Sequence, residues 1–444
     1  MKMLVILVAK LIIRVGKLVH RGSTLPGDVA LRMDPDILSK IEIPKLSVAV
    51  TGTTGKTSTT QTIADVFASC GYKVAHNLSG ANLIGGVATL LLDSVTLSGK
   101  CKKDVLVLEV DERYAKLVFQ YFQPTYFVVT NLSRDQLARH GHYDVVYDDI
   151  ARCITDSMHL VLNADDPFVC KLALNHKGPV TYFGIKETAQ DTAEPEIDTL
   201  DLCYCPKCHE KLHFDRYHYG NLGIWNCPNH DYDRPECAYE VTGIDMENQR
   251  FTINGSESVA IQRDIRYNIY NNLVVYAISD LCRLDRKTVL SSLKSFNFTV
   301  KRFDTFTCDG RDGYILTSKN ETPISYNQSL KYVSLDSSLK TIVVGFKRVS
   351  GRYDLMDLSW LWDVNFECLD ANTIDHAVCV GPFANELAAR LVHAGIREEQ
   401  IVIEPVPGNT LQTVKDKTKG TIYATVYFDM AKELTKLVES EKRV

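Results

Sequence analysis

From residue 46 to about residue 190, short apolar runs alternate with stretches of helical periodicity. The apolar runs are 46–50, 104–109, 125–130, 158–163 and 180–185, and helical spacing falls between them at 82–93, 112–122 and 143–157. Runs this short and this free of polar positions read as strands covered on both faces, and their alternation with helices predicts a parallel sheet. Residues 187–200 are polar and read as a loop, 201–240 form a Cys-rich insert, 241–265 read as short strands and 268–283 as a helix. Beyond a boundary near 298 a second α/β unit is expected, with strands near 313–317, 341–346, 376–381 and 401–404.

The first segment, Met1–Val19, is apolar but interrupted by Lys2, Lys10, Arg14 and Lys17. That is too broken for a membrane span, and it lacks the small-residue cleavage site of a signal peptide. A basic amphipathic helix resting near an anionic membrane is one reading, and a helix packed on the protein body is the other and the preferred one.

Length and charge narrow the picture. A chain of 444 residues needs two or three domains. The net charge of −5 argues against a general nucleic-acid binder. Thirteen cysteines without a secretory leader suggest thiols and metal rather than disulfides.

The first apolar run leads into Thr51-Gly52-Thr53-Thr54-Gly55-Lys56-Thr57-Ser58, followed by a helical stretch, Thr59 to Cys70. Strand, Gly-rich turn, Lys-Thr and helix make a phosphate cradle. Glycines let backbone N–H groups approach an anion, Lys56 can reach β/γ-phosphates, and the Thr57 hydroxyl can ligate Mg²⁺. The common form of this loop has Gly where this chain has Val50. Glu109, Asn131 and Asn163 stand at the ends of later strands, where an open parallel sheet gathers its ligands. Glu109 is read as the second Mg²⁺ ligand, since hard cations take carboxylate oxygens beside phosphates.

Cys205-Pro-Lys-Cys208 and Cys227-Pro-Asn-His230 are two knuckles with eighteen residues (209–226) between them. This spacing suits a zinc ribbon, with Cys205, Cys208, Cys227 and His230 as ligands. Cys237 and Cys203 are alternatives for the fourth position. No place is left for water, so the zinc is read as structural. After residue 300 the densest segment is Asp357-Leu-Ser-Trp360-Leu-Trp362-Asp363, whose alternation would also suit a half-buried strand.

The series TGTTGKTS, SGANLIGG (79–86), LEVDE (108–112), NLSRDQLARHG (131–141), NADDP (163–167) and YNIYNN (267–272) resembles the Mur ligases, whose Gly-Thr-Thr-Gly-Lys-Thr loop is shared with folylpolyglutamate synthases. Together with the Cys-rich insert it resembles the MurT family, the ligase-like subunits of lipid II isoglutaminyl synthases. The resemblance covers nearly the whole chain, from RGSTLPGDVALRMDP (21–35) onward.

The resemblance implies an α/β fold: a Mur ligase-type ATP-binding central domain over 46–297 with the zinc-ribbon insert at 201–240, a Rossmann-like C-terminal domain over 298–444, and an N-terminal helix and lead-in over 1–45. Gly55, Lys56, Thr57 and Ser58 would hold ATP phosphates, Thr57 and Glu109 Mg²⁺, Asn271 the adenine and Asp165 the ribose. Asp357 matches the catalytic aspartate of the family's D-x-S-W-x-W-D motif. Gln136 stands where Mur ligases usually carry His, which puts a second metal site there in doubt. The implied reaction is ATP-dependent amidation of the D-Glu α-carboxylate of the lipid II stem peptide to D-isoglutamine. No G-x-C-x-G-type nucleophile is present, so a GatD-like glutaminase subunit is implied as partner, with no nucleic acid. The implied setting is cytoplasmic, peripheral to the inner face of the cell membrane. An amino-acid-adding Mur ligase or a folylpolyglutamate synthase-like ligase is the alternative.

Overall fold

The computed structural model describes residues 1–18, 24–77, 81–133, 143–189, 191–195, 204–245, 247–260, 266–295, 303–318, 323–349 and 357–441. The chain forms two compact units, the first running to Phe298 and the second from Thr299.

The first unit is built on a nine-stranded sheet. Its strands are β1 (Leu46–Thr51), β2 (Val74–His76), β3 (Val105–Glu109), β4 (Tyr126–Val129), β5 (His159–Asn163) and β6 (Val180–Ile185), with β9 (Tyr239–Asp245), β10 (Arg250–Ile253) and β11 (Glu257–Ala260) beyond a separate hairpin of β7 (His213–Tyr219) and β8 (Leu222–Asn226). The order is β11-β10-β9-β6-β5-β4-β1-β3-β2, parallel from β2 to β9 and antiparallel across β9, β10 and β11. All five apolar runs are strands of this sheet, within a residue or two of their expected ends.

Successive residues of the central strands enter opposite cores, as a sheet covered on both sides requires. Val48, Val50, Val107 and Val128 pack with helix α3 (Lys56–Ser69) and the Arg266–Leu281 helix. Ala49, Leu106, Leu108 and Phe127 pack on the other side with α1 (Lys2–Leu18), α2 (Leu25–Met33) and α4 (Ile84–Ser94). α1 joins this core through Val5, Ile6, Ala9 and Ile13.

The second unit holds a six-stranded sheet, β12 (Phe303–Cys308), β13 (Arg311–Ser318), β17 (Thr421–Tyr427), β14 (Lys340–Gly345), β15 (Ile374–Val380) and β16 (Ile401–Glu404), in that spatial order. Only β12 and β13 pair antiparallel. The Asp357–Asp363 segment is not a strand: Ser359–Asp363 is a 3₁₀ helix. Positions two apart share one face of a strand, but at three residues per turn they point to different sides. Trp360 is accordingly buried beside Phe346 and Tyr427, whereas Trp362 is 59% exposed.

Candidate active site

β1 delivers the chain into a loop that only glycine can form. Gly52 and Gly55 take φ of 135° and 86°. A Cβ on Gly55 would stand 2.4 Å from the Asn271 Oδ1, and one on Gly52 would stand 2.2 Å from the Thr130 Oγ1. α3 starts at Lys56, so its first-turn N–H groups, which have no partner within the helix, open at this loop. In that turn Thr57 is exposed and Ser58 half-buried.

The neighbouring strand ends brace the loop. Asn131 accepts from the Thr54 N–H at 2.9 Å through its side chain and from the Thr53 N–H at 2.9 Å through its carbonyl, and Thr130 Oγ1 donates to the Thr54 carbonyl at 2.9 Å. Asn163 Nδ2 in turn donates to the Thr130 carbonyl at 3.0 Å. Both asparagines therefore shape the cradle from within the protein.

Glu109 ends β3 directly opposite Val50 in the sheet register, one strand from the loop. Its buried carboxylate accepts from Asn82 Nδ2 at 3.0 Å, and its backbone is gripped by Asn77 at 2.9 and 2.8 Å. Lys56 Nζ donates to the Gly52 and Thr53 carbonyls and pairs with Glu112. Burial pushes the Glu112 carboxyl up, and the Lys56 ammonium pulls it partly back. In the sequence alone, an acid this soon after a strand suits a helix start equally well. The signal for Glu112 was its place in LEVDE, three residues after the strand-end glutamate.

Asn271 is buried on the Arg266–Leu281 helix, accepts from Thr59 Oγ1 at 3.2 Å, and keeps a buried Nδ2 without a protein partner among the described residues. Asp165 behaves differently from the ribose contact expected of it. It is fully buried, and its carboxylate accepts from Arg234 Nε at 2.7 Å, Tyr270 hydroxyl at 2.7 Å and the Ile185 N–H at 2.8 Å. With no exposed surface, Asp165 is an internal tie rather than a ribose ligand. It joins the Cys-rich insert, the β6 end and the helix that carries Asn271. Trp225 reinforces the join by donating to the Ala164 carbonyl at 3.0 Å.

Within the insert, the Cys205, Cys208 and Cys227 thiols lie within 4.8 Å of one another, with 3.3 Å between the Sγ atoms of Cys208 and Cys227. Sulfurs around a tetrahedral zinc with bonds near 2.3 Å stand about 3.8 Å apart, so the trio fits three corners of such a site. His230 is outside the trio: its ring is 75% exposed and Nδ1 meets Asp233 Oδ2 at 2.8 Å. Asp233 also accepts from the Cys227 N–H at 2.9 Å, closing that knuckle. Cys237 lies beside Gly184 and Arg234, also apart from the trio, and Cys203 and Gln136 fall outside the described residues.

In the second unit, Asp357 is exposed and its Oδ1 accepts from the Ser359 N–H at 2.9 Å. The segment after it is held by Arg390, a residue the sequence did not single out. Its buried guanidinium donates to the Leu361 carbonyl at 3.0 Å, the Val364 carbonyl at 2.7 Å and Glu367 at 2.8 Å. Asn327 adds a second hold, accepting from the Asn365 N–H at 2.8 Å.

The P-loop residues fit a nucleoside triphosphate with its Mg²⁺. Two glycines whose added Cβ atoms would collide, an open helix N-terminus, a lysine, an exposed threonine hydroxyl and a strand-end carboxylate gather at the carboxyl ends of adjacent parallel strands. Residues 50–207 match the family model of the Mur ligase middle domain and residues 318–430 that of the MurT ligase C-terminal domain. The fold is shared with a pseudomurein peptide ligase type C from Methanothermus fervidus, at TM-score 0.67 and 17% identity over 92% of this chain and 81% of that one. It is shared too with MurF from Acinetobacter baumannii, at TM-score 0.60 and 14% identity over 93% and 80% of the two chains. Fold and loop together define a Mur ligase-type ATP-dependent ligase.

Nearer relatives specify the branch. The chain is 31% identical, over 432 residues and 94% of the relative's length, to the lipid II isoglutaminyl synthase (glutamine-hydrolyzing) subunit MurT of Streptococcus pneumoniae (strain ATCC BAA-255 / R6), with 96% of this chain covered. It is 28% identical over 422 residues to the MurT subunit of Staphylococcus aureus (strain COL), covering 95% of this chain and 94% of that one. The chain belongs to the MurT family, as its motif series led one to expect.

Proposed function

We propose that this chain is the synthase subunit of a lipid II isoglutaminyl synthase, which amidates the D-Glu α-carboxylate of the stem peptide. The observation that carries the reading is the 31% identity to a MurT subunit across 94% of that subunit's length. ATP transfers its γ-phosphoryl group to the carboxylate oxygen, and ammonia then attacks the acyl carbon and expels phosphate. Gly55, Lys56, Thr57 and Ser58 bind and orient the phosphates, and Asn271 contacts the adenine through its Nδ2, which has no partner among the described residues. Thr57 and Glu109 would hold Mg²⁺, which when bound offsets charge on the transferring phosphoryl group. Asp357 takes the proton that ammonium must lose to become a nucleophile. Cys205, Cys208 and Cys227 would hold a structural zinc. A separate GatD-like glutaminase supplies ammonia, which is scarce at neutral pH, and the complex works at the inner face of the cell membrane.

The test uses lipid II labelled with ¹⁸O in the D-Glu α-carboxylate, with ATP, Mg²⁺ and ammonium chloride at alkaline pH. Amide formation with one ¹⁸O atom appearing in phosphate is the expected result. Amide without label in phosphate would rule out the acyl phosphate, and an added amino acid would move the chain to the amino-acid-adding ligases.

A further inference from the structure

α1 has two apolar sides. Val5, Ile6, Ala9 and Ile13 are at most 6% exposed and bind it to the first unit. Leu4, Leu7, Leu11, Val15 and Leu18, spaced three or four residues apart, are 42–82% exposed. At 100° per residue these five fall on one stripe opposite the packed side. A surface helix that only packs on its protein needs a single apolar side, and this one carries a second.

Charge identifies what the stripe suits. α1 contains Lys2, Lys10, Arg14 and Lys17 and no acid. The helical period places Arg14, Lys10 and Lys17 in succession along one border of the stripe. Lys17 pairs with Asp93 Oδ2 at 3.1 Å and Lys10 donates to the Asp93 carbonyl at 3.1 Å. Two of these three basic side chains thus meet one residue, Asp93, and the helix itself supplies no acid to offset them. Among the described residues no helix is long and apolar enough to cross a membrane. At 1.5 Å per residue, the 17-residue helix is about 25 Å long and suited to lying in the plane of a bilayer surface.

We propose that α1 docks this protein on an anionic bilayer, with the Leu4–Leu18 stripe entering the headgroup boundary and its basic border meeting lipid phosphates. A second copy of the chain is a poorer occupant, because a two-fold interface would set two cation-rich helices against each other. The inference deepens the membrane-face location proposed above. Its test reads lipid binding rather than turnover, so the two can fail separately.

The full chain would be sedimented with phosphatidylglycerol-containing vesicles and with pure phosphatidylcholine vesicles, at low and high salt. Binding to the anionic vesicles that weakens with salt is expected. The triple variant Leu7→Ser/Leu11→Ser/Val15→Ser should lose at least about tenfold in that binding, with its thermal unfolding unchanged because all three side chains are already exposed. As a second readout, Leu11→Trp should be quenched by bromolipids. Failure of the wild-type chain to bind, equal binding by the triple variant, or indifference to lipid charge would overturn the proposal. So would a triple variant whose only change is loss of self-association in sedimentation velocity, since that would assign the stripe to a second copy.

Discussion

Lys56 is engaged before any nucleotide arrives. Its ammonium caps two loop carbonyls and pairs with the buried Glu112 carboxylate. Reaching a phosphate means exchanging that carboxylate for another anion, so Glu112 competes with ATP for the same cation. Glu112→Gln is predicted to tighten ATP binding by roughly tenfold, the scale of one charged hydrogen bond at about 1.5 kcal/mol. Titration with a fluorescent nucleotide checks this, and weaker binding would show that Glu112 helps hold the ligand. Gly55→Ala should act in the opposite direction. The left-handed backbone alone costs about 1–2 kcal/mol, and the new Cβ would displace Asn271, so ATP affinity should fall by about tenfold or more. Unchanged affinity would mean that the loop re-forms freely. The P-loop residues were legible because their spacing is itself the chemistry. Glu112 was less so: an acid after a strand also suits a helix start, and only the fold brings it to a lysine 56 residues away.

Among elements, the Cys-rich insert is tied to the sheet by the Asp165–Arg234 pair, with Arg234 only 14% exposed. Asp165→Ala removes the tightest partner of that guanidinium and leaves it only Glu240 at 3.4 Å and the Ile185 carbonyl at 3.2 Å, which costs about 3 kcal/mol, the low end for a broken buried pair. Urea unfolding should show a loss of that order, and a change under about 0.5 kcal/mol would contradict the junction. The knuckles make a second prediction. The purified chain should carry about one zinc, and Cys205→Ser should lower both metal content and stability, because structural zinc contributes folding free energy. Unchanged zinc content would remove Cys205 from the ligand set.

Element by element, legibility followed periodicity. The buried strands of the first unit were read directly from their apolar runs. β17 (Thr-Ile-Tyr-Ala-Thr-Val-Tyr) was missed, although it lies between β13 and β14, because two threonines and an alanine dilute the run. The Trp360/Trp362 alternation suited a strand equally well, and burial of Trp360 alone decided for a 3₁₀ turn. Asp165 carried no sign of its role, since its partners Arg234 and Tyr270 are 69 and 105 residues distant. Two cysteine knuckles gave away three thiols, but the His230 side chain follows Asp233, a local preference that ligand spacing does not encode.

For the whole molecule, nucleotide binding and acceptor chemistry are assigned to different units, the P-loop to the first and Asp357 to the second. They should therefore separate by mutation. Asp357→Asn keeps the Oδ1 that accepts from Ser359, so the turn should persist while the proton acceptor is lost. Amidation should disappear while ATP binding and partner association remain, and retained turnover would remove Asp357 from the chemistry. The most direct test of the central claim is mass spectrometry of lipid II incubated with this chain, ATP, Mg²⁺ and glutamine, with and without a co-expressed glutaminase subunit. Conversion of one carboxylate to an amide, only when the glutaminase is present, is the predicted result. Unmodified lipid II in the presence of an active glutaminase would contradict the account.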